Sequence, residues 1–358
     1  MTDQYNPARG SDVVTEPAGL TAAWLSTALD SPVASVEQEP VGTGQMGASY
    51  RLRLTYDDHA VDDRPDSFVA KLPSPDPTLR SMAAGAYLTE VGSYRDMAET
   101  IAMRTPTCHY AATADDGAWF VLLLEDLHPA RQGDQLRGST VAEAERAAVS
   151  LAGLHGPCWC DPVLFELLWI TAIDPVGAAC LGELLTVAVG QFVERYAGRL
   201  DPADAELLVP IAAAIEAWML GRSERFAPVH GDYRMDNLMF FPADDLAVVD
   251  WQTVGVGLPA RDLAYLLETS LDPGARSSAT CSTETGHENG RYPACKDARF
   301  REGVVSGGPE RVRVSAGRCR RCRHSGERGP SRTGRQGSRR RRRSPCTPAA
   351  SDRGAPSW

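Results

Sequence analysis

The sequence predicts an α+β fold of two lobes, a small strand-rich N-lobe and a larger helical C-lobe, with a disordered C-terminal tail. Three observations predict it. Up to residue 125, one strictly alternating run and several short apolar runs read as four strands, with two helices among them. Helix-period apolar stripes dominate residues 126–272. Beyond residue 272, Leu, Ile and Met vanish from the chain. A segment rich in Arg, Ser, Gly and Pro but lacking those side chains cannot bury enough apolar area to offset the entropy of ordering. The expected boundaries are a loose N-terminus at 1–18, an N-lobe at 19–125, a C-lobe at 126–272 that is C-terminally incomplete, and a tail at 273–358.

The elements follow in order. Leu20 to Leu29 reads as a short helix and Val33 to Val41 as a strand leading to Gly42-Thr43-Gly44-Gln45-Met46-Gly47. Tyr50, Leu52, Leu54 and Tyr56 then alternate with Arg51, Arg53 and Thr55, the pattern of a half-buried strand. Ser67 to Leu72 is the next strand, and Arg80 to Ala102 a helix with its stripe at Tyr87, Val91, Tyr94 and Ala98. Trp119 to Leu124 is a buried strand, and 128–138 a linker rich in turn residues. Thr140 with Glu143 forms a capping box that opens a helix with Ala144, Ala147, Leu151 and Leu154 inward. Leu181–Arg199 and Ala203–Gly221 are further helices, the second disturbed by Pro210. Leu238–Phe241 and Leu246–Val249 flank a short hairpin turn, and Asp262–Leu271 closes the body.

Charge divides the chain at the same place as composition. Residues 273–358 hold 20 Lys+Arg and 7 Asp+Glu, a net of +13, so the total of −10 leaves −23 on residues 1–272. An acidic body favours solubility and also suits a cationic partner. No apolar leader follows Met1, and no run of 18 uncharged apolar residues occurs, so no membrane partner is expected. The body cysteines, Cys108, Cys158, Cys160 and Cys180, lack disulfide-framework spacing, which points to a reducing, cytoplasmic setting. Cys158-Trp-Cys160 is too tightly spaced for a zinc pair and reads as packing.

Lys71 is the only lysine in the first 295 residues. A composition that otherwise uses Arg keeps one compact, flexible ammonium, the better reach for phosphate oxygens. Gly42, Gly44 and Gly47 form G-x-G-x-x-G, but a strand follows them where a dinucleotide fingerprint needs a helix. That leaves either a glycine-rich loop over nucleotide phosphates or a hairpin without a ligand. Glu90 lies at the edge of the helix stripe and needs a partner: Lys71 is the obvious one, Arg95 or Arg104 the alternative. Glu99 falls outside the stripe and should be solvated. His155 reads as a hydrogen-bonded core histidine and Asp262 as a carboxylate capping the last helix.

His230-Gly231-Asp232 with Asp236-Asn237, a hairpin and then Asp250-Trp251-Gln252 has the spacing of a phosphoryl-transfer site. Phe68-Val69-Ala70-Lys71 resembles the lysine strand of protein kinases. As a set, these motifs resemble the aminoglycoside phosphotransferase and choline kinase superfamily, most closely its ecdysteroid-kinase-like (CHK-kinase-like) branch. Glu90-x-x-x-Tyr94, Leu124–Leu127, Gly133-Asp134-Gln135, Leu151-x-x-Leu-His155 and Gly257–Tyr265 carry the same likeness, over about residues 20–272. The resemblance implies a protein-kinase-like fold and an ATP- and Mg²⁺-dependent transfer of phosphate to a small-molecule alcohol. It implies Asp232 as catalytic base, Asn237 and Asp250 as Mg²⁺ ligands, and Lys71 with Glu90 as the pair positioning ATP in a nucleotide-binding N-lobe. The backbone around Glu125 and Leu127 would hold the adenine. Arg234 either contacts the transferred phosphate or pairs with Asp236.

In such kinases further helices follow the Asp262 helix; here Arg-rich sequence without periodicity stands in their place. We read it as out-of-frame sequence beginning between about Thr269 and Ala279. The alternatives are nucleic-acid binding through Arg339–Arg343, or zinc at Cys319 and Cys322 with Cys281 and Cys295, whose spacings fit no usual pattern. A nucleotide-binding or basic-tail interaction protein without phosphotransfer is the rival reading of the whole. Brief trypsin digestion should cut first within residues 290–345, and resistance there would show that the tail folds.

Overall fold

The computed structural model describes residues 13–42, 46–57, 64–114, 117–221, 223–242, 245–272, 275, 280–283 and 303–306. Gly44 and most of the tail therefore lie outside the described residues.

After a short helix α1 (Ala22–Ala28), the N-lobe is a five-stranded antiparallel sheet. Its strands are β1 (Val33–Val41), β2 (Gly47–Tyr56), β3 (Ser67–Pro73), β4 (Cys108–Thr113) and β5 (Phe120–Glu125). Their order is β1-β2-β3-β5-β4, which puts β3 at the centre. The alternation read from the sequence decides which faces are covered: Leu52 and Leu54 are buried between exposed Arg53 and Thr55. Leu52, Leu54, Phe68, Ala70, Leu72, Val121 and Leu123 build one core face, closed by Leu20 and Leu25 from the α1 region.

Between β3 and β4 runs α2 (Pro77–Gly92), capped by Asp76, whose carboxylate accepts from the Thr78 and Leu79 amides. The helix starts three residues before the expected Arg80. It stops as an α-helix at Gly92 and passes into a π-helical turn, Ser93–Met97, instead of continuing to Ala102. Strand β4 carries no alternation in sequence; pairing with β5, rather than propensity, makes it a strand.

The second lobe begins after the Asp126 turn. It contains β6 (Arg131–Gln132), α3 (Val141–His155), β7 (Thr171–Ala172), α4 (Pro175–Tyr196) and α5 (Pro202–Leu220). Then come β8 (Ala227–Val229), β9 (Leu238–Phe240), β10 (Leu246–Val248), β11 (Gly255–Gly257) and α6 (Ala260–Ser270). The Thr140–Glu143 capping box forms as expected. Helix α4 begins six residues before Leu181, where Asp174 caps and Pro175 supplies a first-turn residue that needs no amide partner. Two three-stranded sheets, β10-β9-β6 and β7-β11-β8, carry the loops of the site. Beyond α6, β12 (Thr280–Thr283) pairs antiparallel with β13 (Gly303–Ser306).

The main core joins the two lobes, with Tyr87, Val91, Phe120 and Leu122 on one side and Leu151, Leu154, Tyr233, Trp251 and Leu266 on the other. Helices α4 and α5 stand apart from it: each buries one residue, Ala178 and Ala212. Leu184 and Val187 on α4, and Leu207, Val209 and Ile211 on α5, are exposed. By length and composition α4 is, among the described residues, the one helix long and apolar enough to cross a membrane, although Glu183 interrupts its apolar run.

Arg51 of β2 closes the lobe junction with Nε–H to Asp126 Oδ2 at 2.7 Å, and Ser67 donates to the same oxygen at 2.6 Å. Burial would raise the Asp126 carboxyl, but these bonds outweigh it and hold it below its ordinary value. A depressed carboxyl stabilises the fold fully above its unfolded pKa of about 3.9 and loses that contribution as pH falls through the folded value. Asp126→Asn should therefore lower stability by roughly 1–3 kcal/mol at pH 7, and urea titrations should show that penalty shrinking below about pH 4.

Candidate functional site

The centre of the sheet supplies the first group. Phe68, Ala70 and Leu72 point into the core, so period two turns Lys71 to the opposite face, between Ser49 of β2 and Leu122 of β5. Its ammonium donates to Glu90 Oε1 from α2 and to Asp250 Oδ1 at 3.1 Å. Glu90 is 1% exposed and Lys71 20%. The competing arginines are engaged elsewhere: Arg95 with Asp96 at 2.8 Å, and Arg104 with Asp245 and Glu125. Burial alone would lower Lys71, but Glu90 and Asp250 outweigh it and hold the ammonium charged, well above its ordinary value. Burial raises Glu90, with Lys71 pulling the other way. Glu99 is exposed, as expected.

The glycine loop lies between β1 and β2, a strand–loop–strand arrangement that excludes the dinucleotide fingerprint. Gly42 has φ +74°. A Cβ on Gly47 would lie 2.7 Å from the Leu72 carbonyl, so only glycine fits there. Tyr87 donates its hydroxyl to the Met46 carbonyl and ties this loop to α2. At the end of β5, the Glu125 amide donates to the Thr107 carbonyl at 2.8 Å, and the Leu127 carbonyl accepts from Ala130 at 2.8 Å. Both lie where the lobes join.

Strand β8 delivers His230, Gly231 and Asp232. Gly231 has φ +81°, and a Cβ there would lie 2.4 Å from the Thr253 carbonyl. Asp262 was expected to cap its own helix. It does not: α6 starts after Pro259, and Asp262 in its first turn accepts instead from the His230 amide at 2.7 Å and the Gly231 amide at 3.0 Å. His155 Nε2, buried as expected, lies 3.1 Å from the same carboxylate. Burial would raise Asp262, but His155, the nearby His230 ring and the Gly231 amide hold it below its ordinary value. Thr253 donates to the His230 carbonyl at 2.8 Å, so the loop is gripped by its backbone.

Its side chains are thereby free to converge. Asn237 Nδ2 donates to Asp232 Oδ2 at 3.0 Å and to the Asp232 carbonyl at 2.9 Å. Arg234 Nε lies 3.1 Å from Asp232 Oδ2 and its Nη1 3.5 Å from Asp236 Oδ2, so it pairs with both. Asp250, at φ +67°, follows β10 and accepts from Gln252 Nε2 at 3.2 Å. With Nδ2 of Asn237 donating to Asp232, its amide oxygen is a hard donor of the kind a divalent cation takes, as is the Asp250 carboxylate. Two such ligands, with phosphate and water completing the shell, fit Mg²⁺. Among the described residues no cluster of His, Cys, Asp and Glu forms a metal cage, and Cys158 packs beside Thr100.

Several contributors were not assigned from sequence. Gln135 accepts the Met235 amide at 2.9 Å and donates its own amide to Asp236 at 2.8 Å. Tyr265 faces Asp232; burial, reinforced by that carboxylate, raises its phenol. Gln135 and Tyr265 both lie within sequence motifs noted above, without a chemical role attached. Trp169 carried no signal at all.

The model of the phosphotransferase enzyme family matches residues 53–293, more than half of the chain. A stretch of 103 residues is 42% identical to acyl-CoA dehydrogenase family member 10 of Mus musculus, covering 27% of this chain and 9% of that protein. Family member 11 of Rattus norvegicus is 25% identical over 132 residues, covering 35% of this chain and 16% of its own length. The chain thus spans a small part of these relatives. Among solved structures, the GDP and kanamycin complex of APH(2")-IIia has a TM-score of 0.47 at 16% identity, covering 69% of this chain and 77% of that one. Choline kinase of Cryptosporidium parvum Iowa II has a TM-score of 0.42 at 9% identity, covering 70% and 65%.

If Asp262 holds the loop through two amides, Asp262→Asn should speed hydrogen exchange at His230 and Gly231 and lower the melting temperature. Exchange unchanged at both amides would show that the loop is held by other means.

Proposed function

The chain belongs to the phosphotransferase enzyme family, and from that premise we propose that it moves the γ-phosphoryl group of ATP to a hydroxyl of a small molecule. The observation that carries this reading is the single ammonium of Lys71 held between Glu90 and Asp250. In that place Lys71 grips the α- and β-phosphates, and Glu90 keeps it aimed. Asn237 and Asp250 hold Mg²⁺, which neutralises charge on the phosphates when bound. Gly42, Gly44 and Gly47 cover the phosphates, and the backbone at Glu125 and Leu127 receives the adenine.

Asp232 accepts the proton of the acceptor hydroxyl. The new bond joins that oxygen to the γ-phosphorus, the bond from the γ-phosphorus to the β,γ-bridging oxygen breaks, and ADP leaves. Arg234, already beside Asp232, steadies the carboxylate and faces the transferred group. The acidic body favours a cationic acceptor.

Supplied with Mg-ATP and a panel of small alcohols, the full chain should convert ATP to ADP with an acceptor-dependent rate. Asp232→Ala should cut transfer by about 10²–10⁴ while ATP still raises the melting temperature. Asp250→Ala should abolish that rise. Lys71→Arg and Glu90→Gln should each raise the ATP requirement, and together less than additively, since they remove one shared interaction. Wild-type turnover in Asp232→Ala would sink the assignment.

A further inference from the structure

Trp169 takes no part in the chemistry above, yet it meets the Glu90 helix at three points. A Cβ on Gly92 would lie 2.3 Å from Cγ and Cδ2 of the indole, so the ring rests flush on the α2 backbone. The indole Nε1–H donates to Asp96 Oδ2 at 2.7 Å, in the π-helical turn that follows. The Trp169 carbonyl accepts from Thr89 Oγ1 at 3.1 Å. Thr89 and Gly92 bracket Glu90, and both are buried. Two residues further on, Thr171 and Ala172 pair in parallel with Gly255 and Val256 of β11. Strand β11 follows the Asp250–Gln252 turn and pairs with β8, which leads to Asp232.

We propose that residues 169–172 are a strap that sets Glu90 relative to Asp250, with Trp169 as a positioning residue for Mg-nucleotide binding that acts through Glu90. This rests on the phosphotransferase reading. Lys71 divides one ammonium between two carboxylates that stand on different elements. The strap touches the carriers of both: its indole holds α2, and its strand holds the chain just beyond Asp250. Removing the ring opens a gap beside Gly92, and the Lys71–Glu90 contact weakens steeply with any shift of α2. A residue that merely fills the core would change the melting temperature and leave the nucleotide affinity of the folded protein as it was.

The test titrates the full chain with Mg²⁺ and a ribose-labelled fluorescent ATP analogue, recording melting temperature in parallel. Trp169→Ala should raise Kd roughly two- to thirtyfold, and Trp169→Phe, which keeps a ring but loses the Asp96 bond, should raise it less. In a Glu90→Gln background the Trp169 effect should disappear, because the indole, unlike the strand beside β11, touches only α2 and the turn that follows it. Unchanged Kd in the Trp169 variants, or an undiminished effect beside Glu90→Gln, overturns the proposal. If Trp169→Ala does not fold, Trp169→Phe and Gly92→Ala make the same comparison. Lys71→Ala separates the two levels: if it binds nucleotide like the parent, the phosphotransferase reading fails; if it alone loses binding, only the strap fails.

Discussion

An ammonium shared by two carboxylates from distant parts of the chain is the constraint on which the site depends. Lys71, Glu90 and Asp250 come from the central strand, from α2 and from the turn after β10. Glu90 is almost fully enclosed, and a buried carboxylate that loses its partner costs about 3–5 kcal/mol. All three elements must therefore arrive together. Placing β3 between β2 and β5 gives Lys71 a rigid base. The Phe68, Ala70 and Leu72 face anchors that strand from behind. Tyr87 and Val91, on the same helix as Glu90, bury against Phe120 and Trp251 and bring the acid to its place. Packing does the positioning, and charge compensation makes the position worth keeping.

The second half of the site uses a different device. The His230–Asp232 segment is held by what its backbone offers: two amides to Asp262, one carbonyl to Thr253, and no side chain at Gly231. His230 is sandwiched against Tyr233 and Trp251, which close the loop from below. Because none of these contacts uses the side chains of Asp232 or Asn237, the two project together, Asn237 Nδ2 donating to Asp232 Oδ2. A loop fastened by its main chain leaves its side chains to meet one another.

What could be read from the sequence follows the range of the forces involved. The strand that carries Lys71, the capping box at Thr140 and the hairpin before Asp250 are local patterns, and each appeared close to where periodicity and turn residues put it. The Lys71–Glu90 pairing was legible because a carboxylate on an apolar stripe demands a cation, and only one lysine was on offer. Strand β4 was invisible, since neighbouring strands create it. The α-to-π change after Gly92 has no propensity signature, and the indole that requires glycine there lies far along the chain. Asp262 was recognised as structural but given the wrong task, because its partners, two amides on another loop, exist only after folding. Gly44 and most of the Arg-rich tail lie outside the described residues.

The α4–α5 hairpin has a consequence for how the molecule comes apart. Each helix contributes a single buried alanine, while the cores that hold Lys71, Asp232 and Asp250 draw nothing from either. Melting that hairpin exposes little surface that is not already wet, so its opening is only weakly linked to the unfolding of the rest. Among the described residues the hairpin then opens largely apart from the cores, and changes in one are felt only weakly in the other. Selection on the outer helices is in this way uncoupled from selection on the core that holds Lys71, Asp232 and Asp250, and the surface of the hairpin can diversify while that core stays as it is.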